Sequence, residues 1–172
     1  ASFECRIMRY QSEVRLARLA ATLGGVGLLR PGPGTWGSAV ALALGWGLLW
    51  LGGPLLLFAG CAVVFLVGLW AAGLHGHATG RSDAAEIVID EVVGQWLAML
   101  PLPFLAGGES WVGAALAFVL FRLLDIAKPW PISALDRQLN GGVGVMVDDA
   151  FAGTVVAGLL LLWGMTVGLP HL

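Results

Sequence analysis

Apolar residues come in long blocks along this chain, separated by short stretches rich in Gly, Pro and charge. The first block runs over about 37–51 and the second over about 54–73, with Gly52-Gly53-Pro54 between them. Glycine's freedom of φ and proline's missing N–H predict a tight turn at that point. A third block covers about 87–105, a fourth about 110–126 and a fifth about 150–169. Apolar blocks of this length predict membrane-crossing helices, each of which needs ~20 residues. The third and fourth reach that length only by taking Asp90, Glu91 and Arg122 into their terminal turns, near the headgroups. Pro101 and Pro103 are expected to end or kink the third.

Ahead of these blocks, residues 14–23 place Leu16, Leu19, Ala20 and Leu23 on one helical face, with Arg15 and Arg18 off it. A helix lying at a membrane interface fits that pattern. The Gly- and Pro-rich stretch 24–38 then breaks any regular element. The expected fold class is all-α: a single membrane-embedded domain over 1–172, built as a polytopic helical bundle of about five transmembrane helices plus an N-terminal interfacial helix.

Composition sharpens this picture. Apolar residues make up 58% of the 172 and charged residues 12%, and the mean hydropathy is +0.87. That exceeds the apolar share of an ordinary soluble domain, so a soluble all-α protein is the weaker reading. The 26 glycines suit close helix approach and the 8 tryptophans suit headgroup level. A net charge of -2, with no continuous basic stripe, argues against nucleic acid. Cys5 and Cys61 form no disulfide or zinc motif. The N-terminal residues lack the apolar core of a signal peptide, so the first span would be the targeting element.

With five spans, all nine basic residues fall on one side. Arg6, Arg9, Arg15, Arg18 and Arg30 precede the first span; Arg81, Arg122, Lys128 and Arg137 follow on the same side. The turns at 52–54 and 106–110 and the tail after 169 carry none. The positive-inside rule makes the basic side cytoplasmic, with the N-terminus inside and the C-terminus outside.

Three acidic knots lie on that same side: Asp90-Glu91 in IVIDEVVGQW, Asp125 with Lys128 in RLLDIAKPWPI, and Asp148-Asp149 in GGVGVMVDDAFAG. Carboxylates against apolar helices are costly unless a cation holds them. Each knot alone has a plain structural reading. Asp90 and Glu91 could serve a helix dipole, Asp125 and Arg122 a helix-end ion pair, and one of Asp148 and Asp149 an N-cap. Together they suggest a metal-and-phosphate site, with Lys128 as a point charge directed by the KPWPI turn. Gly34, Thr35 and Ser38, in RPGPGTWGS, have the small residues and hydroxyls of a phosphate cradle, although no nucleotide P-loop is present. Helix capping by Thr35 and Ser38 is the equally simple account. His75 and His77 read as interfacial histidines, Glu86 as a helix cap, and Asp136-Arg137 as a surface pair.

Taken together, PGTWGS, IVIDEVVGQW, FRLLDIAKPWPI and GGVGVMVDDAFAG resemble the phosphatidylglycerophosphatase A family, over about Leu19 to Gly158. The resemblance implies a multi-pass, Mg²⁺-dependent phosphatase of the bacterial inner membrane. Such an enzyme takes the terminal phosphate from phosphatidylglycerophosphate, leaving phosphatidylglycerol. It implies metal and catalytic roles for Asp90, Glu91, Asp125, Asp148 and Asp149, with Lys128 also catalytic. Gly34, Thr35, Ser38, Arg122 and Lys128 are the candidate substrate-binding residues. A phosphomonoester dianion cannot approach so many carboxylates without cations to invert the field. Direct attack by metal-bound water is expected, since no DxDx[TV] or CxxxxxR signature is present. Two other classes compete with this reading: a lipid transferase, whose DG…AR…G…D…D pattern is missing, and a cation channel or transporter, whose acids should lie at mid-membrane depth.

Overall fold

The computed structural model describes residues 3–81, 84–105, 107, 110–139 and 141–166, and these form helices joined by short connections. In chain order they are α1 (Phe3–Ala21), a 3-10 segment (Leu23–Leu28), α2 (Pro33–Thr79), α3 (Ile89–Met99), a 3-10 turn (Leu102–Phe104), α4 (Trp111–Ala127), α5 (Ile132–Gln138) and α6 (Gly141–Thr166). No strand occurs among the described residues.

α2 is two helices. At Gly52 and Gly53 the backbone leaves helical values, with Gly53 at φ 64° and ψ -165°, and Pro54 follows. Leu48 in the first arm packs on Gly60 in the second. Twelve residues along a straight helix would separate them by about 18 Å, so the arms fold back as a hairpin. The expected turn therefore lies where the glycines and proline required it.

α3 runs through the middle of the bundle, with most of its residues buried. Its Trp96 ring packs on Gly45 and Gly60, one from each arm of α2, and Trp96 Nε1 donates to the Ala41 carbonyl at 2.7 Å. The helix ends before Pro101, as expected, but it is only 11 residues long. That is about 16 Å, short of a span. The block 87–105 is thus a short core helix flanked by irregular segments rather than one continuous helix. Among the described residues, α2 taken as a whole and α6 are long and apolar enough to cross a membrane.

Glycines set the crossing of α3 and α6. A Cβ on Gly153 would strike the Gly94 backbone, and one on Gly94 would strike the Phe121 ring of α4 and the Asp149 carbonyl. Backbone contact at Gly94 and Gly153 has a direct consequence for the site. Asp90 and Asp149 each lie one turn before these glycines, on the same helix face, so the crossing brings the two acids together. The first turn of α6 lies equally close to α2, where a Cβ on Gly142 would meet the Gly73 amide and the Leu69 carbonyl.

Two further expectations need correction. α6 starts at Gly141, nine residues before the expected fifth block. Asp148 and Asp149 therefore lie two turns inside the helix, and neither can be its N-cap. α1 begins at Phe3, not near residue 14, and it turns Ala17 and Ala21 inward while Leu16 and Leu19 are exposed. Small residues win because α1 packs closely on the bundle, where Ala21 accepts a hydrogen bond from the Val88 amide at 2.9 Å. The connection after KPWPI contains the short helix α5. The side chains of Asp136 and Arg137, and Asp83, lie outside the described residues.

Candidate active site

Four elements bring the conspicuous motifs to one end of the bundle. The first turn of α2 supplies Gly34 and Thr35, the first turn of α3 Asp90 and Glu91, the last turns of α4 Arg122 and Asp125, and α6 Asp148 and Asp149. Lys128 terminates α4 with φ 39° and ψ 57°, a left-handed conformation that reverses the chain before Pro129. All these residues line a single cavity of about 680 Å³. Ser38 sits behind the wall and joins the site through hydrogen bonds.

Arg122 is the hub on one side. Its Nη1 donates to Glu91 Oε2 and lies 2.9 Å from Asp125 Oδ2, three residues along the same helix. Ser38 Oγ donates to Glu91 Oε2 at 2.9 Å and is itself 3.4 Å from the same guanidinium nitrogen. A Cβ on Gly34 would collide with Glu91 Oε1 and the Arg122 guanidinium, so only glycine allows α2 to approach this pair. On the other side, Lys128 Nζ donates to Asp148 Oδ2 at 2.6 Å. Asp125 is matched by Arg122, the helix-end pair that the sequence offered, whereas Lys128 reaches across to α6 rather than to Asp125.

Asp149 lies between these two pairs. Its carboxyl group lies close to those of Asp125, Asp90 and Glu91. Its Oδ2 is buried and has no hydrogen-bond partner among the described residues. Asp90 Oδ1 accepts the Glu91 amide at 3.0 Å, as befits a carboxylate in the first turn of a helix. Gly32, left-handed at φ 68°, caps α2 without a side-chain acceptor, and Pro33 has no N–H to offer. Gly34 and Thr35 line the cavity in this first turn, where backbone amides lack an intrahelical acceptor.

Charge decides what this cavity can hold. In formal charge, five carboxylates face two cations, Arg122 and Lys128, an excess of three. Like charges about 4 Å apart repel by about 4 kcal/mol at an effective dielectric constant near 20. Among the described residues no three His, Cys, Asp or Glu side chains already form one ligand cluster. Mg²⁺ does not need one, since it is held by one or two carboxylates with waters and substrate oxygens completing its octahedron. The donor set, the excess negative charge and the unpartnered Asp149 Oδ2 fit such an ion.

The profile of the family described as Phosphatidylglycerophosphatase A matches residues 19–163. The chain belongs to that family. A phosphatidylglycerophosphatase A of Escherichia coli (strain K12) is 38% identical over 144 residues, covering 81% of this chain and 78% of the relative. One from Haemophilus influenzae is 40% identical over 128 residues, covering 74% and 76%. A Bacteroides thetaiotaomicron protein provisionally named a phosphatidylinositol-3-phosphatase is 37% identical over 127 residues, covering 70% and 76%. No solved structure matches. The protein is a phosphatase, and the channel or transporter alternative is not favoured.

Sequence reasoning found the acids and the Asp125–Arg122 pair but not the partners of Glu91 and Asp148. Arg122, a candidate substrate-binding residue, joins three oxygens. Sequence reasoning also missed Gly94 and Gly153, whose small-residue signal was hidden among so many glycines. His75 is buried rather than interfacial, and Glu86 pairs with it rather than capping a helix. His77 is exposed and lies beside a separate glycine-lined pocket.

Proposed function

We propose that this phosphatase hydrolyses the terminal phosphomonoester of phosphatidylglycerophosphate, with Mg²⁺, at the cytoplasmic face of a bacterial inner membrane. The carrying observation is the buried, unpartnered Asp149 Oδ2 inside a cluster of carboxylates that also holds Arg122 and Lys128. In this reading Asp149, Asp90 and Asp125 hold the metal, while Glu91 and Asp148 orient the two cations. Bound Mg²⁺ would supply charge neutralisation and an acidified water. The phosphate oxygens bind at the Gly34 and Thr35 amides, where the dipole of α2 favours an anion. Lys128 and Arg122 stabilise charge on the phosphoryl group and the departing glycerol oxygen. Water oxygen bonds to phosphorus, the bond to the glycerol oxygen breaks, and the water proton ends on the released alcohol. Ile87, Ile126, Leu139 and Val145 line the same cavity and suit the lipid side of the substrate.

A membrane setting is supported by where the exposed aromatic residues fall. Trp36 and Trp130 are exposed at the site end, and Trp50, Trp111 and Trp163 at the far end. Two aromatic levels with exposed Leu and Phe between them match the two interfaces of a bilayer. The short α3 and the 17-residue α4 would complete a five-segment bundle around the long helices. α1 would lie at the headgroup layer, with its arginines toward anionic lipid.

Headgroup preference tests the substrate. Purified protein in mixed micelles should release phosphate from phosphatidylglycerophosphate with at least tenfold higher kcat/KM than from phosphatidylinositol 3-phosphate. The reverse preference would overturn the assignment.

A further inference from the structure

The site's acids on α3 depend on a segment that no catalytic role covers. α3 starts without a side-chain cap: Val88, at its N-cap position, offers no acceptor. A helix start lacking its own cap has to be fixed by tertiary contacts. Three are present. The Val88 amide donates to the Ala21 carbonyl at 2.9 Å. The Glu86 carbonyl lies where a Cβ on Gly27 would be, so the backbones touch. His75 Nε2, on the second arm of α2, is 3.1 Å from Glu86 Oε1.

The third contact differs from the other two in being made by side chains and in being ionisable. His75 is 2% exposed, although it is polar and lies on a long apolar helix. A buried imidazole needs a partner, and Glu86 is that partner. Glu86 stands between Ala85 and Ile87, both of which line the site cavity, and one turn before Asp90. The tether therefore acts on the cavity wall and on the angle at which α3 presents Asp90 and Glu91.

We infer that His75 is a positioning residue of the phosphatase: through Glu86 it fixes the 84–88 segment and so holds Asp90 and Glu91 in register with Asp125 and Asp149. The inference rests on the proposed use of those acids, but its test also has a readout independent of turnover. His75 touches neither the cavity nor any of the clustered carboxylates.

The experiment compares wild type, His75→Phe, His75→Gln and Glu86→Gln in detergent, with phosphatidylglycerophosphate as substrate. His75→Phe fills the space without the hydrogen bond, and Glu86→Gln alters the partly exposed partner should the aromatic variant not fold. Misplacement of catalytic groups by about 1 Å costs roughly a hundredfold. We expect kcat to fall about ten- to a hundredfold in His75→Phe, with KM within about twofold, and His75→Gln to recover most of it by donating to Glu86. The double variant His75→Phe/Glu86→Gln should lose no more than the worse single change. Hydrogen exchange at the amides of residues 87–91 should be faster in His75→Phe. If the wild type proves inactive on this lipid, the proposed substrate fails and the exchange data alone decide the tether. Unchanged exchange at 87–91, wild-type kcat in His75→Phe and Glu86→Gln, or losses that multiply in the double variant would each overturn the inference.

Discussion

Lys128 Nζ donates to Asp148 Oδ2 at 2.6 Å, linking the left-handed end of α4 to a carboxylate two turns inside α6. The pair spans the cavity edge, so the lysine's charge is held where a phosphoryl group would sit. Removing it should cost the transition state ~3 kcal/mol, about a hundredfold in rate. Lys128→Ala is expected to show that loss at saturating Mg²⁺, across a full metal titration. Complete rescue by added metal would instead make the lysine a structural counter-ion.

Arg122 faces a different test. Its side chain is 13% exposed and that of Glu91 is 9% exposed. Truncating one member of a buried pair strands the other, at about 3–5 kcal/mol. Arg122→Gln should therefore lower the melting temperature in detergent by about ten degrees, since each kcal/mol is worth ~2–4 °C at this size. An unchanged melting temperature would contradict the bridging role.

The glycine crossing is predicted to couple packing to chemistry. Gly153→Ala forces a methyl into the Gly94 backbone, and overpacking of this kind costs about 1–3 kcal/mol. It should also separate Asp149 from Asp90 and depress turnover by more than the stability loss explains. Alanine at Gly158, which has open space around it, is the control and should be silent in both measurements.

The two cysteines report sidedness. Cys5 is exposed on α1 and Cys61 is buried beside the Val93 carbonyl. An impermeant maleimide should label Cys5 in inverted membrane vesicles and leave it unlabelled in intact spheroplasts. Labelling in spheroplasts would place α1, and the site end with it, on the opposite face.

What the sequence made readable follows from backbone chemistry. Gly52-Gly53-Pro54 and KPWPI ended helices where their conformational demands required, and four motifs converged as their shared residue types suggested. The start of α6 was hidden because GGVGVM looks like a loop. Its glycines serve close approach instead, with Gly142 against Gly73 of α2. The partner of Lys128 was hidden for another reason. Arg122 and Lys128 both sit near Asp125 in sequence, and only the α4–α6 packing sends Lys128 to Asp148. The pair of His75 with Glu86 joins the end of α2 to the start of α3, a meeting that no local pattern encodes.

The central claim is that the carboxylate cluster works with a bound divalent ion on a phospholipid monoester. Its most direct test is phosphate release from phosphatidylglycerophosphate by the purified protein, with Mg²⁺ and with excess EDTA, for wild type and Asp149→Asn. Wild type should turn over with Mg²⁺, stop in EDTA and recover when Mg²⁺ is restored, while Asp149→Asn should stay folded and lose turnover by orders of magnitude. Full wild-type activity in excess EDTA, or near-normal turnover of Asp149→Asn, would contradict the account.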